Sequence, residues 1–427
     1  MRRVRRWRVV GLGGAVVLLS IASAAASTSV GTAMVASTNS QAQTSLLFSS
    51  SSPLFGVFED VTSSSQGAPS VDLFSTTDFV HFTNITPPGP PSENGSIGEF
   101  TSASFHTPAN GWVAESNEDG SDGYLLHTTD GGATWHETRQ LWAGSGGLAK
   151  ISFLNASDGW LAAGDPGDGT VILSATTDGG ITWKTLLGSG AFFTELGDDL
   201  PSFSSPTVGI GVIASPGFAV SSPPHLPPRL LVGTDEVKLS TDGGASWSER
   251  SVPVADHGVR FFDEPSFFGP RGVLAVTVTP RATGNLGTAT VDFDSTVDGG
   301  TTWMSPTKLR TTAQPRLDLQ GASASGLPSV SEVALRTWWV LAVAPSGAIR
   351  VSRTIDGGRH WTTHAPSSLP RVPVAADATG GVTAPASIQA VNATLAVATV
   401  WTNPGSVPAS YITSDGGSHW SHLTHLG

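Results

Sequence analysis

Cysteine is absent from all 427 residues. No disulfide can brace the fold and no N-terminal Cys can carry a lipid, so an exported form has to be held together by burial alone. Basic residues are scarce: 22 Lys and Arg stand against 34 Asp and Glu, a formal net charge of −12. Five of the 22 are arginines within the first eight residues, and without residues 1–26 only 17 basic groups face the 34 acidic ones. A surface with that field repels nucleic acid and anionic lipid, which excludes both as expected partners. Long apolar runs are also missing after residue 26, and no stretch there reads as a long helix.

The one long apolar run follows the arginines, from Val9 to about Ala26, and is rich in Ala, Val and Leu. Charge, apolar core and small-residue ending make residues 1–26 a secretory signal, with Ala24-Ala25-Ala26 before Ser27 as the cleavage site. The competing reading is an uncleaved anchor, since the run approaches the roughly 20 residues that span a bilayer. The expected location is secreted or cell-surface, with no membrane span after cleavage. Residues 27–43, rich in Ser, Thr and Ala, read as a polar linker. Residues 44–427 are left for the folded part. Sequons stand at Asn84, Asn94, Asn155 and Asn392.

That part is organised by a repeat. Thr176-Thr177-Asp178-Gly179-Gly180-Ile181-Thr182-Trp183 returns at Thr128–Trp135, Ser240–Trp247, Thr296–Trp303, Thr354–Trp361 and Thr413–Trp420. Thr76–Phe82 is a degenerate seventh copy with one residue deleted and Val80 in place of the second Gly. The Asp-to-Asp steps from Asp78 through Asp130, Asp178, Asp242, Asp298, Asp356 and Asp415 are 52, 48, 64, 56, 58 and 59. A Ser-Phe pair recurs before a Gly-apolar pair, as in Ser104-Phe105 and Gly111-Trp112, or Ser152-Phe153 and Gly159-Trp160. Each unit then holds four short apolar runs, too short for ordinary helices, bounded by turn residues. Seven such units predict an all-β, seven-bladed propeller of four-stranded antiparallel blades.

Within the eight residues, the hydroxyl and Asp suit bonding to backbone across a tight turn, and Gly supplies positive φ between the third and fourth strands. Ser/Thr-x-Asp-x-Gly-x-x-Trp resembles the Asp-box, or BNR repeat, of sialidase-like propellers, over about residues 50–427. The unit is most similar to the repeats of the photosystem II assembly factor group, which are seven-bladed and act by binding. The resemblance implies that the box hairpins lie away from the ligand site. Asp130, Trp135, Asp178, Trp183, Asp242, Trp247, Asp298, Trp303, Asp356, Trp361, Asp415 and Trp420 are accordingly expected to be structural.

If the box joins strands three and four, it shares a face with the one-to-two turns, and the longer connections crowd the opposite face. Binding is expected there, because loops on a rigid scaffold carry function. The candidates are an acidic loop with Glu115, Glu118, Asp119 and Asp122, a smaller one with Asp165 and Asp168, and a charged set of Glu195, Asp198, Arg229, His257 and Arg260. Trp142, placed in the link after the second unit, could stack on a sugar. No cofactor is expected; calcium suits oxygen-rich loops, but the twelve-residue spacing of a known calcium loop is missing. His419, His422 and His425 do not make a metal site, since odd spacing on a strand turns neighbours to opposite faces.

A sialidase of the family needs a Phe/Tyr-Arg-Ile-Pro motif and a Tyr–Glu nucleophilic pair. The motif is missing, and the two tyrosines, Tyr124 and Tyr411, precede boxes in third strands. The expected function is therefore an exported, non-enzymatic propeller that binds a protein or glycan. The alternative is a secreted sialidase-like glycoside hydrolase with a non-standard active site.

Overall fold

The computed structural model describes residues 42–62, 70–88, 99–116, 122–143, 149–165, 170–188, 200–212, 236–253, 259–280, 287–317, 324–372, 386–402, 408–424 and 426. The described chain forms seven antiparallel blade sheets at 42–84, 99–143, 149–187, 202–251, 259–310, 329–364 and 386–423, besides one two-stranded hairpin. Strands follow one another in order within each sheet, so every blade is one contiguous piece of chain. No described helix is long and apolar enough to cross a membrane.

The box hairpin closes as its residue types demand. The Thr176 hydroxyl donates to Asp178 Oδ1 at 2.8 Å and accepts the Gly180 N–H at 2.9 Å. Asp178 in turn accepts the Thr182 N–H at 2.8 Å on Oδ1 and the Thr182 hydroxyl at 2.6 Å on Oδ2. Gly179 and Gly180 sit at φ +74° and +89°, where a side chain is strained. The Gly179 N–H also donates to Ser157 O, in the turn between the first and second strands of its own blade. Gly131 does the same to Ala109, and Gly357 to Arg336, so boxes and one-to-two turns share a face as expected.

The degenerate copy keeps this geometry with one correction to its alignment. Phe79, not Val80, takes the second glycine's place: its N–H donates to Thr76 Oγ1 at 2.8 Å, and its φ is +61°. Val80 is instead exposed at the hairpin tip. Burial of the Phe79 ring against Phe58 offsets the cost of that backbone conformation.

The core lies between blades, so most sheets are apolar on both faces. Trp112, in the second strand of blade 2, lies flat on Phe153 of blade 3, ring centroids 3.7 Å apart. Trp160 of blade 3 repeats the stack on Phe203 of blade 4 at 3.7 Å. The ring closes where Leu46, Phe58 and Phe74 of blade 1 meet Val391, Leu395 and Val397 of blade 7, and the Ser410 hydroxyl donates to Thr44 O.

One boundary moves. The first strand is Ala42–Ser51, so its opening residues were assigned to the linker by their polar composition. Blade 5 ends on its fourth strand, Met304–Arg310, and a small extra hairpin, Arg316–Leu317 with Ala324–Ser325, follows it. Both Trp338 and Trp339 are core residues.

Candidate functional site: the loop face and the axial cavity

Of the residues expected to bind, Glu118, Asp119, Asp168, Glu195, Asp198, Arg229 and His257 lie outside the described residues, as does His425 of the C-terminal histidines. Asp122, Trp142 and Asp165 are strand residues: Asp122 pairs with Ala143, Gly123 with Trp142, and Asp165 with Thr170. Trp142 thus belongs to the fourth strand of blade 2, not to a link, because pairing extends along His136–Ala143. Arg260 is a half-buried residue of the first strand of blade 5.

Glu115 is no loop residue either. It lies in the second strand of blade 2, Asn110–Ser116, opposite Tyr124 and Phe100, and is 4% exposed. Burial alone pushes its carboxyl up to about 7. An acid placed among apolar strand neighbours looks like a loop residue in the sequence, because its polarity breaks the run.

The box acids do what their repetition implies. Each binds within its own hairpin; hydrogen bonds from Thr134 and then Thr128 hold Asp130 down at about 2. His419 takes the hydroxyl's place in the last box, its Nδ1 at 2.6 Å from Asp415 Oδ2, while His422 lies beside the Tyr411 ring. Among the described residues no group of three or more His, Cys, Asp or Glu could hold a metal.

A cavity of about 330 Å³ lies on the axis, lined by first-strand residues of all seven blades. Its polar lining includes Ser104, Ser152, Ser202, Ser266, Ser331 and Gln389. These residues lie near the ends of their strands that lead into the one-to-two turns, so the cavity is on the box face rather than on the loop face. The serines lace neighbouring blades: Ser104 Oγ accepts the Phe153 N–H at 2.9 Å, and Ser331 Oγ accepts the Ala390 N–H at 3.0 Å. The Phe that follows each Ser covers the glycine opposite it. A Cβ on Gly159 would stand 2.5 Å from the Phe153 ring, and one on Gly209 2.5 Å from the Phe203 ring.

Blade 6 breaks that rule. Register puts Glu332 in the place of the Phe and Trp338 in the place of the Gly, since Glu332 pairs with Trp338 and Trp338 with the box Thr354. Glu332 is 3% exposed and lines the cavity, and Ser266 Oγ of blade 5 donates to its Oε2 at 3.3 Å. Burial, and then the charge of Asp263, raise its carboxyl well above the usual range. Asp263 itself is pushed to about 7 by burial. Nothing in the repeat marked either residue, because the signal lies in a departure from the repeat.

No protein-family model matches the chain, and no curated protein matches it. Solved structures match in fold. The β-propeller domain of the Trilobed protease from Pyrococcus furiosus is 7% identical, with 91% of this chain and 96% of that one covered and a TM-score of 0.48. YCF48 bound to a D1 peptide is 16% identical over 75% of this chain and 80% of that one, with a TM-score of 0.40. A PL25 polysaccharide lyase, an ulvan lyase, is 11% identical over 75% and 81%, with a TM-score of 0.41. These are likenesses of the propeller fold alone.

Proposed function

We propose that this is an exported, non-enzymatic propeller of the Asp-box type that binds a protein or glycan partner through the face opposite its box hairpins. The position of the two tyrosines carries the reading. Tyr124 and Tyr411 lie in third strands, two strands out from the axis, where neither can act as the central nucleophile of a sialidase. The box carboxylates are engaged by donors of their own hairpins and are not available to a substrate. Export rests on the arginine-rich, then apolar leader; mass spectrometry of the exported form should find a start near Ser27, and an intact Met1 region would mean a retained anchor. Purified protein offered fluorogenic sialosides and other glycosides should give no turnover. Turnover that disappears when a loop-face acid is substituted would overturn the binding reading.

A second reading, glycoside hydrolysis, is favoured by Asp263 and Glu332. Paired carboxyls, one of them kept protonated near neutrality, are the groups that perform acid–base work on a glycosidic bond. On that reading the same screen shows turnover that Glu332→Gln removes.

A further inference from the structure

Blade 5 differs from the repeat on both of its sides. Its first strand is broken: Val259–Phe262 and Ser266–Phe268 both pair with Arg271–Thr279, with Phe262 opposite Val276 and Ser266 opposite Val273. Asp263, Glu264 and Pro265 therefore face only Leu274 and Ala275, which is a bulge, the device that re-aims a side chain. It brings Asp263 within electrostatic reach of Glu332 across the seam to blade 6. Towards blade 4, Asp292 and Asp294 share one sheet face because they are two apart on a strand, and both are 0% exposed. Leu274 and Val276 pair with them on that face, which blade 4 covers with Ile210, Val237 and Leu239.

The charges around these acids are unevenly placed. Opposite Asp292 stands Lys308, and Arg260 and Arg310 lie further along the same face. On blade 4, Lys238 and Glu249 point the other way, while Arg250, opposite Val237 in the outer strand, shares the face turned to blade 5. Near Glu332 stands Asp263 of the bulge. Arg353 of its own sheet lies over the Trp339 ring and bonds Ala393 O on the blade 7 side. Neither carboxyl oxygen of Asp294, nor Glu332 Oε1, has a hydrogen-bond partner among the described residues.

We propose that the two seams flanking blade 5 form a pH-sensitive latch, closed in an acidic medium while Asp294 and Glu332 carry protons and loosened as the medium becomes neutral to alkaline. A buried carboxyl without a partner is tolerated neutral and strongly disfavoured charged. Burial and then Asp292 raise Asp294 to about 8, and Glu332 is raised likewise. Above the ordinary carboxylate value of about 4 the unfolded chain gives up these protons while the folded one keeps them, so stability falls as pH rises and goes on falling through about 8. The inference is independent of what the loop face binds.

The test is thermal unfolding of the full mature chain, followed by Trp fluorescence at several pH values, together with hydrogen exchange corrected for intrinsic rate. The melting temperature should fall by about 5 °C or more between pH 5 and pH 8.5. Asp294→Asn and Glu332→Gln, which cannot ionise, should each make that fall shallower, and the double variant shallower still. Protection should be lost first in 271–296 and 329–343, with blade 3 still protected. A melting temperature that is flat or rises over this range overturns the proposal, as do variants that keep the wild-type slope or exchange that rises evenly around the ring. If the variants do not fold, the wild-type profile and its exchange map still decide.

Discussion

Trp112 of blade 2 donates its indole N–H to the carbonyl oxygen of Gly179, in the box of blade 3, at 2.9 Å. Trp160 makes the same bond to Gly243 of blade 4 at 3.0 Å. The box is thus a seam as well as a hairpin: its positive-φ glycine presents a carbonyl to the preceding blade. Trp112→Phe keeps the stack on Phe153 but leaves that buried carbonyl short of a donor, and should cost about 1 kcal/mol. Trp112→Ala removes the ring as well and should cost about 3–5 kcal/mol. Denaturant unfolding of the two variants separates bond from packing; no loss in Trp112→Phe would show that the hydrogen bond adds nothing.

The glycine near the start of the second strand in blades 2 to 5 is set by a neighbouring ring, not by backbone conformation. A Cβ at Gly159 would meet Phe153 at 2.5 Å, and Phe153 is pinned from the other side by Trp112. Gly159→Ala should therefore destabilise by about 1–3 kcal/mol, as overpacking does. Adding Phe153→Leu should make the two losses less than additive. Strict additivity in that double-mutant cycle would mean that the ring and the glycine do not share this space.

The architecture was legible because turn chemistry fixes residue types locally: Thr176, Asp178 and Gly180 all meet within five residues, and so their spacing survives in the sequence. The Ser-Phe and Gly-Trp pairs were visible as a regularity, but their cause was not, since Trp112 finds its acceptor 67 positions away. Burial was harder to read. In a propeller both faces of a sheet pack on neighbouring blades, so alternation no longer separates inside from outside. Asp292 and Asp294 lie in a run recognisable as a strand, yet nothing in it showed that their face was the covered one. Glu115 failed as a loop candidate for the same reason.

The box acids titrate in the opposite sense to the buried acids at the seams of blade 5, and together they set where the fold is most stable. In Asp178, hydrogen bonds from the Thr182 hydroxyl, the Thr182 N–H and the Thr176 hydroxyl lower the carboxyl's pKa; Asp130, bound the same way, is held at about 2. A folded pKa below the unfolded one contributes stability that is present above about 4 and lost as pH falls through the folded value. Stability should thus rise with pH from about 2 to about 4 on account of the boxes, and fall above about 4 on account of Asp294 and Glu332, with Glu115 and Asp263 adding to the fall. The maximum is expected near pH 4, more acidic than the range from about 5 to 8 usual for proteins. Asp178→Asn should lower the melting temperature above pH 4 and weaken the rise below it, leaving the fall between pH 5 and pH 8.5 unchanged. A profile with its maximum at neutral pH would show that the buried carboxyls do not control the high-pH side.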